Sequence, residues 1–236
     1  MLNLLKTHIF TKLFISILII LSSSMSNAQD KQPSIKINLF SAENVVIRDI
    51  INVDAKFGKK HNIPILTPFT FQVPRQDGVN PLVEFGDKPN SMMIKINFAT
   101  GDKNTAQEDR QLIENLQFIP FDIEMTDHED RLVALTNLMV KDAFDMVTRS
   151  YEQREYIGAR RDKIGDTDII DAVGKVIEPT LGLMYVRLVG FLNPNDKNGV
   201  FAVANIVADK YEITNLDQLF LTGSGQTISS FKYITD

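Results

Sequence analysis

Residues 182–192 read GLMYVRLVGFL, residues 193–199 NPNDKNG, and residues 200–208 VFAVANIVA. Two long apolar runs rich in Val, Leu and Phe thus flank a turn that contains the Asn198-Gly199 step. This pattern predicts an antiparallel hairpin at the centre of a sheet, with Val186, Leu188, Phe191, Phe201 and Val203 in the core. An acidic turn follows, then a short apolar segment at 216–221, a Gly-rich break at Gly223-Ser224-Gly225, and ISSFKYI at 228–234, read as a C-terminal helix.

Upstream of the hairpin the clearest element is a helix over about 129–149. Leu132, Leu135, Leu138, Met139, Phe144, Met146 and Val147 recur mostly at helical spacing, and Asp127 or Thr126 can cap the N-terminus. Such a stripe needs a sheet to cover. Between helix and hairpin, 151–164 reads as a strand interrupted at Gly158, 165–171 as an acidic turn, and 172–177 as a short strand. Nearer the N-terminus, 34–39 (SIKINL) alternates as a half-buried strand does. Residues 41–57 fit either a strand or a helical face. Residues 69–73 (FTFQV) form a strand that stops at Pro74, and 82–85 suit a short one. In 91–98 (SMMIKINF), Met92, Ile94, Ile96 and Phe98 share one face. The polar 105–115 suggests a short helix, and Pro120 marks 117–125 as an edge strand or loop.

At 236 residues with 44% hydrophobic content, the chain suits one domain with a real core, plus a small extension. Lys6 and Lys12 open it, followed by an apolar run of nine residues at 13–21 interrupted only by Ser16. Three serines break the run, and Ser26-Asn27-Ala28 offers small residues at both cleavage-recognition positions. This is the pattern of a secretory signal peptide cut after Ala28; as a membrane anchor the run is too short for a bilayer core of roughly 30 Å. A periplasmic or secreted protein is expected. The sequence has no cysteine, so disulfides, thiol catalysis and a lipidated N-terminal cysteine are all excluded. Cleavage removes two lysines and no acids, taking the formal charge from −5 to −7, which argues against a general nucleic-acid surface.

The expected interaction surface is the segment 151–163, with Tyr151, Arg154, Tyr156, Arg160 and Arg161. Tyrosine and arginine join large contact area to directed hydrogen bonds. The acids Glu152, Glu155 and Asp162 alternate with them, which equally describes a solvated strand. Other clusters have simpler readings. Asp127-His128-Glu129-Asp130 suits a helix N-terminus. His61 and His128 are not spaced as zinc ligands. Asp162, Asp166, Asp168 and Asp171 offer oxygens to calcium without the EF-hand spacing. Gly223-Ser224-Gly225 lacks the further glycines and the lysine of a phosphate loop, and no G-x-S-x-G occurs. No cofactor or metal is expected.

With FTFQVP at 69–74, the hydrophobic hairpin, and ISSFKYI near the end, the element order over about 69–234 resembles the PsbP/DcrB superfamily. The resemblance implies an α+β fold, an α/β/α sandwich with a central twisted, mainly antiparallel sheet. It also implies a docking or accessory role without catalysis, as in photosynthetic extrinsic subunits, periplasmic lipoproteins and Ran-binding Mog proteins. The chain departs from the family in having no tryptophan after the FTFQVP stretch and no lipoprotein cysteine. The expected organisation is a signal peptide at 1–28, an N-terminal extension at 29–68 and the PsbP/DcrB-like domain at 69–236. The expected function is a secreted or periplasmic non-enzymatic module that binds a protein partner in the cell envelope, with no nucleic acid and no stable membrane span after cleavage. Two alternatives stay open. One is a carrier of a small apolar ligand or lipid between helix 129–149 and the sheet, suggested by Met139, Phe144 and Met146. The other is a hydrolase whose site no motif betrays.

Overall fold

The computed structural model describes residues 36–85, 93–101, 104–106 and 109–235; the leader expected at 1–28, and Met92, lie outside them. The first half of the chain forms β1 (Val45–Val53), β2 (Phe69–Gln76), β3 (Val79–Phe85), β4 (Ile94–Thr100) and β5 (Leu112–Asp122), with period-two alternation of apolar residues in β2 and β4 and a short helix α1 (Ala55–His61) between β1 and β2. The long apolar stripe then forms a broken helix: α2 (His128–Leu138), a π-helical turn (Met139–Ala143) and α3 (Phe144–Thr148). The Asp127 side chain caps α2 by accepting from the Asp130 N–H at 3.0 Å. Four strands follow: β6 (Gln153–Ile164), β7 (Thr167–Glu178), β8 (Gly182–Phe191) and β9 (Asn198–Val207). The chain ends in α4 (Ala208–Tyr211), a 3-10 helix (Leu216–Leu221), α5 (Gly223–Ser229) and the two-residue β10 (Lys232–Tyr233).

The fold is α+β. The described strands make one antiparallel sheet in the order β1-β2-β3-β4-β5-β9-β8-β7-β6, with β10 on β2. Hairpin β8–β9 sits inside it between β7 and β5, in keeping with its largely apolar composition. Register fixes the faces. Ile94↔Phe118, Phe118↔Ala202, Val189↔Ala202 and Asp171↔Val189 stand on one face. There the Phe71 ring lies 4.7 Å from Phe118, and Phe231 lies 3.9 Å from Phe191. Ile228 of α5 is buried in the same cluster. On the opposite face, Leu135 lies over Gly190 and Phe144 over Gly174. A Cβ on Gly174 would fall 2.1 Å from the Phe144 ring, so only glycine permits this approach. At these two glycines the helix packs directly on the sheet.

Several sequence expectations are corrected. The hairpin turns at 193–197, and Asn198-Gly199 already belongs to β9, paired opposite Asp122 and Phe121. Gly199 is needed because a Cβ would meet the Phe121 ring at 2.3 Å. The expected acidic turn at 165–171 is only Gly165-Asp166; Asp168 and Asp171 are buried in β7. Far from being an edge, 117–122 belongs to β5 between β4 and β9. Pro120 is tolerated because it pairs with Val200 beyond Ile94↔Phe118, the last pair with β4, so no ladder on that flank is broken. The helix expected over 105–115 gives way to β5 from Leu112, since its polar residues include the buried Glu114. Residues 36–40 form no strand; the Ile37 and Phe40 N–H groups donate instead to the Lys210 and Leu221 carbonyls. The C-terminal helix is α5, on the Gly-rich stretch itself; Phe231 follows it and Lys232-Tyr233 is a strand. The ambiguous 41–57 is strand β1 followed by the start of α1, so the described part of 29–68 adds an edge strand to the sheet.

Candidate functional site

Strand β6 carries four of the five residues singled out in the sequence, and a bulge divides them. Its pairing with β7 shifts from Tyr156↔Gly174 to Gly158↔Val173, leaving Ile157 unpaired and 41% exposed. Before the bulge Arg154 and Tyr156 stand on the face of α2–α3. After it, Arg160 lies opposite Asp171 on the other face, while Arg161, opposite Ile170, returns to the helix face.

The partners follow from this division. Arg154 reaches the Asp145 carbonyl at 3.3 Å and its carboxylate at 3.5 Å. The Tyr156 ring meets Phe144 edge-on at 5.5 Å, and burial pushes its phenol above the ordinary value. Burial does the same to Tyr151, which precedes the strand and donates its N–H to the Thr148 carbonyl. Arg161 forks onto both Glu129 oxygens at 3.1 Å, and this hydrogen bonding holds the Glu129 carboxyl below its ordinary value. Arg154, Tyr156 and Arg161 therefore fasten β6 to the broken helix. The five residues do not form one patch, and Arg160 alone faces the other way.

On Arg160's side the structure assembles a group that the sequence reading missed. Arg187 of β8 donates through Nε and Nη2 to the two oxygens of Asp171 on β7, both at 3.0 Å. Both residues are buried, at 1% and 4% exposure. Arg160 Nη2 lies 3.7 Å from the same carboxylate and 3.5 Å from Asp162. The Phe220 ring, delivered by the 3-10 helix, sits 4.1 Å from the Arg187 guanidinium carbon and 5.2 Å from that of Arg160. These side chains and Ile157 line a cavity of about 220 Å³ at the bulge. Arg187 Nη1 has no hydrogen-bond partner among the described residues. The signal for this site was present in the sequence: a lone arginine inside MYVRLVGF, and an aspartate before the apolar AV of the preceding strand.

The remaining candidates resolve into structure. Gly223 and Ser224 each donate a backbone N–H at 2.7 Å to Glu114, fully buried on β5; the hydroxyls of Ser224 and Tyr211 donate to it as well. The Gly-rich stretch thus holds the protein's own carboxylate. Burial pushes the Glu114 carboxyl above its ordinary value, and these donors oppose the shift. The Tyr211 phenol is pushed up by burial and by the adjacent Glu114. Asp168 and Asp171 point to opposite faces of β7: one meets His128 Nε2 at 3.0 Å, the other Arg187. No group of three or more metal-binding side chains is found among the described residues. No helix among them is long and apolar enough to cross a membrane, which says nothing of a β-barrel.

No protein-family model matches the sequence, and no curated protein matches it. The solved structures it is similar to include cyanobacterial PsbP (CyanoP) from Synechocystis sp. PCC 6803, at 14% identity and TM-score 0.41, covering 82% of this chain and 98% of that one. The Ran-binding protein Mog1p of Saccharomyces cerevisiae is similar at 10% identity and TM-score 0.41, covering 79% and 96%. A crystal structure from Bacteroides thetaiotaomicron VPI-5482 is similar at 12% identity and TM-score 0.37 over 71% of this chain, which spans 46% of that protein. PsbP and Mog proteins are among those named by the sequence resemblance. At these TM-scores the likeness carries nothing about activity or partner.

Proposed function

We propose that this protein is a secreted or periplasmic, non-enzymatic accessory module that binds a protein partner of the cell envelope along the outer edge of β6. The observation that carries the reading is the open edge: β6 is twelve residues long, pairs with β7, and is paired on its other side by none of the described strands. An open strand edge offers main-chain donors and acceptors to an added strand, and side chains on alternate positions then select the partner. Arg154, Arg160, Arg161 and Lys163 along this edge oppose self-pairing between copies, which charged edges are known to prevent. The scaffold in this reading is an α/β/α sandwich over 69–236, with β1 and α1 of the preceding extension added at the far end of the sheet. The address rests on the leader pattern at 1–28, and N-terminal sequencing of the purified protein should return Gln29. Recovery only from membranes with Met1 intact would overturn that address.

The test of the partner surface uses wild type, Arg160→Ala and Arg161→Ala as baits on a solubilised envelope fraction. A specific partner should be retained by Arg161→Ala, whose side chain is engaged with Glu129, and lost with Arg160→Ala. Equal capture by all three baits would remove β6 from consideration.

A further inference from the structure

The cavity beside the β6 bulge is lined by Arg187, one buried nitrogen of which the fold leaves unfinished. Arg187 is 1% exposed, and two of its donor positions are taken by Asp171, yet its Nη1 meets no acceptor among the described residues. A guanidinium presents five N–H donors and no acceptor. A buried donor without a partner is rare in folded proteins and points to a water or ligand that completes it. Arg187 lines the cavity of about 220 Å³, and Arg160, half exposed at 52%, lines it too. Asp171 has already given both oxygens to Arg187, so the second guanidinium is only loosely held, at 3.5 and 3.7 Å from its nearest carboxylates.

The rest of the wall decides the class of ligand. Ile157, Leu216 and Phe220 make it largely apolar, and Asp217 also lines it. Apolar walls and a nearby carboxylate disfavour a phosphate, which brings up to two charges and wants polar contact on every oxygen. A single carboxylate on a compact apolar body satisfies both halves of the cavity. The size fits, since an engineered cavity of about 150 Å³ already admits benzene. We propose that this cavity binds a monocarboxylate with a small apolar body, its oxygens shared between Arg187 Nη1 and Arg160 and its body against Ile157 and Leu216. The cavity shares Arg160 with the partner surface but does not depend on it: a protein that binds such an acid and captures no partner would leave this inference standing and remove the other.

A free acid and the C-terminal carboxylate of a polypeptide share this chemistry. Two probes separate them: benzoate, and a capped tetrapeptide ending in phenylalanine with a free carboxylate. Each is titrated into the full-length protein at millimolar concentration while backbone amides and arginine Nε–H signals are followed by NMR, with benzamide and the peptide amide as neutral controls. One acid should shift the signals of Arg187, Arg160 and Ile157, and its amide should not. Binding should weaken about tenfold in Arg187→Met, which removes a charge-assisted bond. If that variant does not fold, Arg160→Gln at the exposed mouth carries the test, with a loss of about threefold or more expected. Shifts with benzoate alone identify a free acid, and shifts with the peptide alone identify a chain terminus. No shift with either acid, equal shifts with the amides, or unchanged affinity in Arg160→Gln would overturn the proposal and leave Nη1 to water.

Discussion

Two buried charged assemblies lie on the same face of the sheet, and they are built to different ends. Glu114 is surrounded: two backbone N–H groups, a serine and a tyrosine hydroxyl close on its two oxygens, and it is wholly inaccessible. The Arg187–Asp171 pair is equally buried, but one nitrogen has no partner among the described residues and the pair borders a cavity. A complete polar assembly fixes one arrangement of the chain; here it ties α5 and Tyr211 to β5. An incomplete one costs stability unless something else completes it. Completeness, together with the adjoining cavity, is what distinguishes the two assemblies, since charge and burial are shared.

Substitutions test this contrast. The largest effect is expected for Glu114→Ala, which leaves four donors unpaired in a dry interior and should cost about 3–5 kcal/mol in urea denaturation. Arg187→Met strands the Asp171 carboxylate and should cost about as much, roughly 3–5 kcal/mol. The two sites should part in the double variant Arg187→Met with Asp171→Leu, which replaces the pair by apolar side chains and should recover most of that loss. If the double variant stays as unstable as the single one, the pair is as structural as Glu114 and the contrast fails.

A smaller effect concerns pH. The folded-state value of Glu114 lies above its ordinary 4.5, so folding takes up a proton between the two values. The contribution of this group is therefore most favourable below about pH 4.5 and shrinks as the pH rises through the folded value. The stability of wild type relative to Glu114→Gln should fall over that interval; a difference that grows with pH would reverse the assignment. The smallest change is expected for Arg160→Ala, below about 1 kcal/mol, because its ion pairs are long and half exposed. A larger loss would make Arg160 part of the scaffold.

How much of this the sequence made legible depended on whether a signal was local. The hairpin, the Asp127 cap and the interruption of β6 at Gly158 rest on periodicity and turn chemistry within a few residues. The centrality of β5 was hidden by Pro120 and Glu114, which read as edge and surface until pairing with β9 and the distant Gly223–Ser229 helix supplies their reasons. In β6, the period-two rule alone separates Arg160 from Arg161, but the side on which Tyr156 falls depends on the bulge at Ile157. Arg187 pairs across strands with Asp171 and meets Phe220 from a different element, so the site exists only in the folded chain.

On this reading the open pair at β6 is a binding site and the closed assembly at Glu114 is not. A crystal structure of the protein grown with benzoate tests it most directly. The carboxylate should lie within hydrogen-bonding distance of Arg187 Nη1 and Arg160, with its ring between Ile157 and Leu216 and the surroundings of Glu114 unchanged. A water on Nη1 with the cavity otherwise free of benzoate would contradict it.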